Sequence, residues 1–342
     1  MQPGLFDLEF RLDKIDSNGD PLKKLNALLD WELFRADLEA ARDKDKERKS
    51  SAGRKPFDAV LMFKILILQA LYGLADDAAE YQILDRLSFM RFLGLGQGDA
   101  VPDAKTIWLF RDQLTRAEAI DDLFDRFDEF LKDNGYAAKR GQIVDASIVP
   151  APVQRNKPEE NEAIKRGQTP EGWDENPAKA RQKDTDARWT KKNGKSQFGY
   201  KNHVNVDVKH KLIRQWEVTD ASVHDSLIVP ILLDRDNASA DVYGDSAFRS
   251  EQIERDLRNE GYRSRIHRKA SRGRPLSARE KQGNKTKSRI RARVEHVFGV
   301  MSRRAGGKMV RAVGWARARM KIGLRNLAYN LDRYAMLAHN AR

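Results

Sequence analysis

Three acidic residues, Asp145, Asp245 and Glu295, stand 100 and 50 residues apart in surroundings that make each of them unusual. Asp145 interrupts the apolar run Gln142 to Val149, in which Ile143, Asp145 and Ser147 share one side and Val144, Ala146 and Ile148 the other. That alternation reads as a central strand, where an ionised carboxylate loses its hydration unless a metal or a partner compensates. Asp245 follows Gly244 at the end of the short run Asp241 to Tyr243. Glycine permits a sharp turn there, and sites in α/β sheets gather at strand ends. Glu295 falls on a helix with the core stripe Ile290, Val294, Val297, Phe298 and Met301, but on the neighbouring face with Ser288, Arg291, Gly299 and Ser302. Carboxylates of this kind suit two divalent ions ~4 Å apart, which activate a water or a hydroxyl and stabilise charge on a leaving oxygen. Each acid also has a plainer use: Asp145 paired with an arginine or an amide, Asp245 as a loop cap, Glu295 as an i, i+4 partner of Arg291.

Composition narrows the chemistry. The absence of cysteine excludes disulfides and thiolate metal sites, leaving oxygen and imidazole ligands, which suits Mg2+ or Mn2+. The formal net charge of +13 favours a polyanionic partner, nucleic acid ahead of an acidic membrane. From Arg258 onward 24 Lys and Arg face 4 Asp and Glu, so the basic charge is concentrated in the last quarter, as one face for a phosphate backbone would require. Residues 1–11 show no basic-then-apolar leader pattern, and the longest apolar stretch, roughly Ala59 to Leu74, is shorter than the ~20 residues of a bilayer span. A cytoplasmic, nucleoid-associated protein is expected.

The elements that must position the acids follow from periodicity. Residues 1–135 read as a helical region, with helices over Pro21 to Ala41, Pro56 to Tyr72, Asp76 to Leu87, Ala104 to Leu114 and Glu118 to Asn134, and a charged loop over Arg42 to Lys55. The pattern turns extended at Arg140. Gln154 to Gln197 is polar, with prolines, glycines and few aliphatics, and is expected as a long surface loop in which Trp173 and Trp189 either stack on an unpaired base or anchor the loop. Lys201 to Val208 and Leu212 to Thr219 form a hairpin; Asp225 to Leu233 and Ser250 to Glu260 are helices; Tyr262 to His267 is an edge strand. A basic loop, Arg268 to Lys287, then precedes helices over Ser288 to Arg304 and Ala312 to Leu337. The class is α/β, a mixed sheet flanked by helices.

Several stretches carry a resemblance. They are Pro102-Asp103-Ala104-Lys105-Thr106-Ile107-Trp108, Ile143-Val144-Asp145-Ala146-Ser147, Gly199-Tyr200-Lys201-Asn202-His203, Thr219-Asp220-Ala221-Ser222, Tyr243-Gly244-Asp245 and Arg291-Ala292-Arg293-Val294-Glu295. In this order they resemble transposases of insertion-sequence family five, within the DDE group. The resemblance implies a ribonuclease-H-like catalytic domain over 136–310 with the polar insertion at 154–197, a DNA end-binding helical region over 1–135, and a basic helix over 311–342 packed on the core. It implies that Asp145, Asp245 and Glu295 hold two Mg2+ (or Mn2+) ions, cut DNA at the terminal inverted repeats and join the 3′-hydroxyls to target DNA, in a homodimer or larger synaptic complex. Around the glutamate the group's pattern is Tyr-x2-Arg-x3-Glu-x6-Lys; here Ser288 and Ser302 hold the Tyr and Lys positions, which moves the expected end contact to Arg303. Arg291, Arg303, Arg304, Lys201, His203 and Trp189 are the candidate DNA contacts. Asp207 and Asp225 are expected to be structural. Two rivals remain at this stage: a domesticated DNA-binding protein without catalysis, and a nuclease or resolvase of the same fold.

Overall fold

The computed structural model describes residues 7–43, 55–192, 194–271, 273–304, 307 and 309–340. Most of the charged loop expected over 42–55, and the side chain of Arg304, lie outside the described residues. The chain divides into two units: Met1–Asn134 with Arg303–Gly307 and Gly323–Arg342, and Gly135–Ser302 with Lys308–Ile322.

The first unit begins with eight helices among the described residues: α1 (Asp7–Ser17), α2 (Pro21–Leu28), α3 (Arg35–Asp43), α4 (Ala59–Tyr72), α5 (Asp76–Asp85), α6 (Leu87–Leu93), α7 (Ala104–Arg116) and α8 (Ile120–Leu131). The single helix expected over Pro21 to Ala41 is two. Leu29 is extended, and Asp30 Oδ1 accepts from the Glu32 amide at 3.0 Å to start the turn Trp31–Phe34, which drops both aromatic rings into the core. There Trp31 meets Phe92 edge to face at 5.4 Å. Helix α4 is buried along most of its length, as its nearly uninterrupted apolar sequence demands. Among the described residues no single helix is long and apolar enough to cross a membrane; α4 and α5 pass such a test only as a pair bent by 101°.

The second unit is built on a mixed sheet. Its elements are β1 (Gln142–Pro150), α9 (Pro158–Lys165), α10 (Pro177–Arg181), β2 (Arg188–Lys192), β3 (Lys195–Asp207), β4 (Ile213–Asp220), α11 (Val229–Leu232), β5 (Asp241–Tyr243), α12 (Glu251–Asn259), β6 (Arg263–Ser264) and α13 (Ala278–Arg304). Helix α14 (Trp315–Asn340) belongs to this unit up to Ile322 and to the first unit beyond it. Strand β1 is central, antiparallel to β3 on one side and parallel to β5 on the other; β4 pairs antiparallel with β3, and β6 parallel with β5. The sheet has six strands in the order β2-β3-β1-β5-β6, with β4 paired to β3 off this path, so an antiparallel group is extended by the parallel strands β5 and β6. The hairpin forms because Asp207 caps its turn, accepting from the Lys209 and His210 amides at 2.8 and 3.0 Å, so this acid is structural.

Alternation decides what each sheet face holds. Val144 and Ala146 pack with Val229, Leu232, Val242, Phe248, Ile253 and Leu257 beneath α11 and α12. Asp145 points the opposite way, where Arg291 of α13 reaches it. The β1–β3 contact is tight at its far end: a Cβ on Gly199 would stand 2.3 Å from the Val149 carbonyl oxygen, so only glycine fits.

Two expectations are corrected. The segment 154–197 is not a bare loop: it contains α9, α10 and β2, and it has its own centre in Trp173, which is buried. Trp173 Nε1 donates to Glu160 Oε1 at 2.9 Å, and Lys179 Nζ donates to the same oxygen at 2.6 Å. These contacts hold the Glu160 carboxyl well below the ordinary range, Lys179 first and Trp173 next. One indole with a polar clamp thus orders a stretch whose scarcity of aliphatics suggested a loop. Second, α13 begins at Ala278 rather than near Ser288, so the expected basic loop is half helix. A capping box starts it: Ser277 Oγ accepts from the Glu280 amide at 3.2 Å, and Glu280 Oε2 accepts from the Ser277 amide at 2.9 Å.

Candidate active site

The parallel pairing of β1 with β5 ends two residues before each of the first two acids. Ile143 lies opposite Tyr243, so Asp145 and Asp245 each follow a matched position by two residues on neighbouring strands. Asp245 lies just past the end of β5 and caps the turn Ser246–Phe248, its Oδ1 accepting from the Ala247 amide at 2.7 Å. Helix α13 brings the third acid. Arg291 Nη1 donates to Asp145 Oδ2 at 2.7 Å, and Nη2 of the same guanidinium pairs with Glu295 Oε1 at 2.9 Å. All three plainer uses of these acids therefore occur, and Arg291 joins two of them.

The electrostatics agree with that convergence. Burial pushes the Asp145 carboxyl up to about 6; Arg291 and the Ala146 amide oppose the rise, and the charges of Asp245 and Glu295 add to it. Asp145 is only 8% exposed, whereas the Glu295 side chain is 58% exposed. Burial works against the charge on Arg291, but Asp145 and then Glu295 keep it firmly protonated. Among the described residues no three Asp, Glu or His side chains stand close enough to form a ready cation-binding cluster. Instead a guanidinium takes the cationic place between two of the three carboxylates. An all-oxygen set that already draws in a positive group fits Mg2+ or Mn2+ by charge and hardness.

His267 belongs to this neighbourhood and no sequence pattern marked it. Its amide donates to the Gly244 carbonyl at 3.1 Å, beside Asp245, and its Nε2 lies 3.3 Å from Ser288 Oγ. Burial, then Arg291 and Lys287, push its imidazole below the usual range. Ser302, at the position where the family pattern has Lys, donates into its own helix at the Phe298 carbonyl, 2.7 Å away.

The other candidates separate by sheet face. Lys201 and His203 turn away from Asp145, because His203 lies opposite Ala146 in the β1–β3 register. His203 is fully buried, with Nε2 2.9 Å from Thr219 Oγ1, and burial pushes its imidazole down to about 4. Lys201 pairs with Asp225 at 2.9 Å. Neither side chain offers a surface to DNA in this structure, and Asp225 anchors the lysine. Trp189 is 49% exposed on β2, its ring 5.4 Å from that of Phe198, and Arg303 is exposed near the end of α13.

Residues 136–331 match the family model described as Transposase DDE domain, and residues 10–113 match one described as Transposase domain (DUF772). Among solved structures the chain is similar to a piggyBac transposase synaptic complex with hairpin DNA, at 14% identity and a TM-score of 0.47 over 94% of this chain and 75% of that one. The DDE-domain match spans more than half of the sequence, and the chain belongs to the DDE transposases, the enzymes of DNA transposition.

Proposed function

We propose that Asp145, Asp245 and Glu295 are the catalytic and metal-holding acids of an insertion-sequence transposase of family five. On this reading the enzyme cuts DNA at the element's terminal inverted repeats and transfers the freed 3′-hydroxyls into target DNA. The observation that carries it is the Arg291 guanidinium bonded to Asp145 and Glu295 at once, with Asp245 two residues beyond the β1–β5 pairing. Two divalent ions would supply activation of the attacking oxygen and charge neutralisation on the leaving one. Asp145 is the fixed member: the strand and the Ala146 amide leave its carboxylate little freedom. Glu295, on an exposed helix face, and Asp245, on a capped turn, complete an anionic rim. Arg291 orients Asp145 and Glu295 and balances their charge.

The test pairs the purified protein with a mini-element carrying its own ends and Mg2+. Asp145→Asn, Asp245→Asn and Glu295→Gln should each lower cleavage by on the order of 10³-fold or more while DNA binding in a mobility-shift assay persists, since each removes part of one cooperating unit. Cutting at wild-type rates in all three variants would refute the assignment.

A further inference from the structure

On the second unit, at the start of α13, a cavity of about 530 Å³ is lined by Arg268, Arg274, Arg279, Lys287, Glu280 and Gly283, among others. Four cations meet one carboxylate there. The carboxylate is already engaged, since Glu280 Oε2 serves the helix cap and Oε1 pairs with Arg268 at 3.5 Å and Arg274 at 3.9 Å. Its frame is fixed by Asn284, which accepts from the Arg268 amide and donates to the Arg268 carbonyl, both at 2.9 Å. Lys287 donates to the Ile266 carbonyl at 2.9 Å. After burial, Arg249 and Arg268 push its ammonium below the ordinary range, the mark of a local positive excess. The volume falls in the ~300–1,000 Å³ range of ligand sites, but a lining of guanidinium and ammonium groups selects an oxyanion over an apolar molecule.

Position identifies the oxyanion. Glu280, Asn284, Lys287, Arg291 and Glu295 succeed one another at spacings of three and four along one face of α13. At ~1.5 Å per residue, Lys287 and Gly283 lie about 12 and 18 Å along the helix from Glu295. A bound duplex carries phosphates on both strands throughout that range, so a backbone phosphate other than the reacting one is the oxyanion that can reach the cavity. We propose that this cavity grips a DNA backbone phosphate away from the one that is cut. The inference rests on the catalytic reading above and adds a holding point, separate from the reacting atoms, that fixes where the strand crosses the acids.

Gly283 provides a test that deletes nothing. A Cβ there meets no atom within 4 Å, so Gly283→Glu sets a carboxylate into the cavity, and Gly283→Gln adds the same bulk without the charge. Binding to a short duplex of arbitrary sequence is measured in EDTA across a salt series, after melting curves confirm that both variants fold. Gly283→Glu should weaken binding about tenfold relative to Gly283→Gln. Arg274→Ala with Arg279→Ala should flatten the dependence of log affinity on log salt by about 0.9 for each phosphate no longer neutralised. Equal affinity in the Glu and Gln variants, with the wild-type salt slope kept in the arginine pair, overturns the proposal. So does inorganic phosphate binding in the cavity by ³¹P NMR while the duplex affinities stay equal, which assigns the cavity to a free anion. Loss of mini-element cleavage in the acidic-residue variants with this cavity silent would leave the catalytic reading standing; a wild type that neither binds nor cuts DNA would sink that reading instead.

Discussion

Asp145 carries a conflict between stability and chemistry. Its carboxyl is raised to about 6 in the folded chain against 3.8 as the reference value, so the folded protein takes up a proton more readily than the unfolded one. The stability it confers is therefore complete below about pH 3.8 and is lost as the pH rises through about 6, leaving an anion that costs on the order of 3 kcal/mol at neutral pH. Asp145→Asn should stabilise the metal-free protein by that order at pH 7 to 8, with the gain vanishing below about pH 4; thermal melts in EDTA across that range check it. A variant that melts at the wild-type temperature at pH 8 would show that Arg291 alone already neutralises the site. A destabilising acid at this position accords with the cation-holding role proposed for it.

At the scale of elements, the site depends on how β1 is held. The strand receives Asp145 from one face and a buried core from the other, and its partner β3 approaches so closely at Gly199 that a methyl group has no room. Gly199→Ala should cost about 3 kcal/mol in urea or thermal unfolding, because the Cβ would fall on the Val149 carbonyl and the Ala151 amide and push the hairpin off β1. A loss under about half a kcal/mol would mean that the hairpin end moves freely and does not brace the strand. The same register explains why Lys201 and His203, close to Asp145 in the sheet, serve the opposite face. It also shows why the spacing of Asp145 and Asp245 in sequence says little by itself: the strands that lead to them are joined by one parallel pairing.

For the whole molecule, the uneven charge and the two-ended substrate make a prediction about assembly. An element has two ends, and the second unit carries one set of acids, so a complex with paired ends should contain two chains. Mass measurement of the protein with a mini-element, in Ca2+ or with Asp145→Asn to block cutting, should show two chains and two ends. One chain holding both ends would overturn this. Because phosphate contacts release counterions, the complex should also weaken steeply with salt.

What the sequence determined by itself was the family and most of the elements. Hydrophobic alternation located β1 and the hairpin, the glycine before Asp245 located a turn, and a carboxylate amid Ile143, Val144 and Ala146 marked the candidate site, because local periodicity and burial cost are written residue by residue. Tertiary structure decided the rest. Trp173 became a core and not a stacking platform because Glu160 and Lys179 meet it from other turns of the chain. His203 went inward because sheet pairing chose its face, His267 joined the site because β6 runs beside β5, and the basic cavity exists because α13 begins ten residues earlier than its apolar stripe suggested. Each of these is a meeting of residues far apart in the chain, which only the closing of the fold determines.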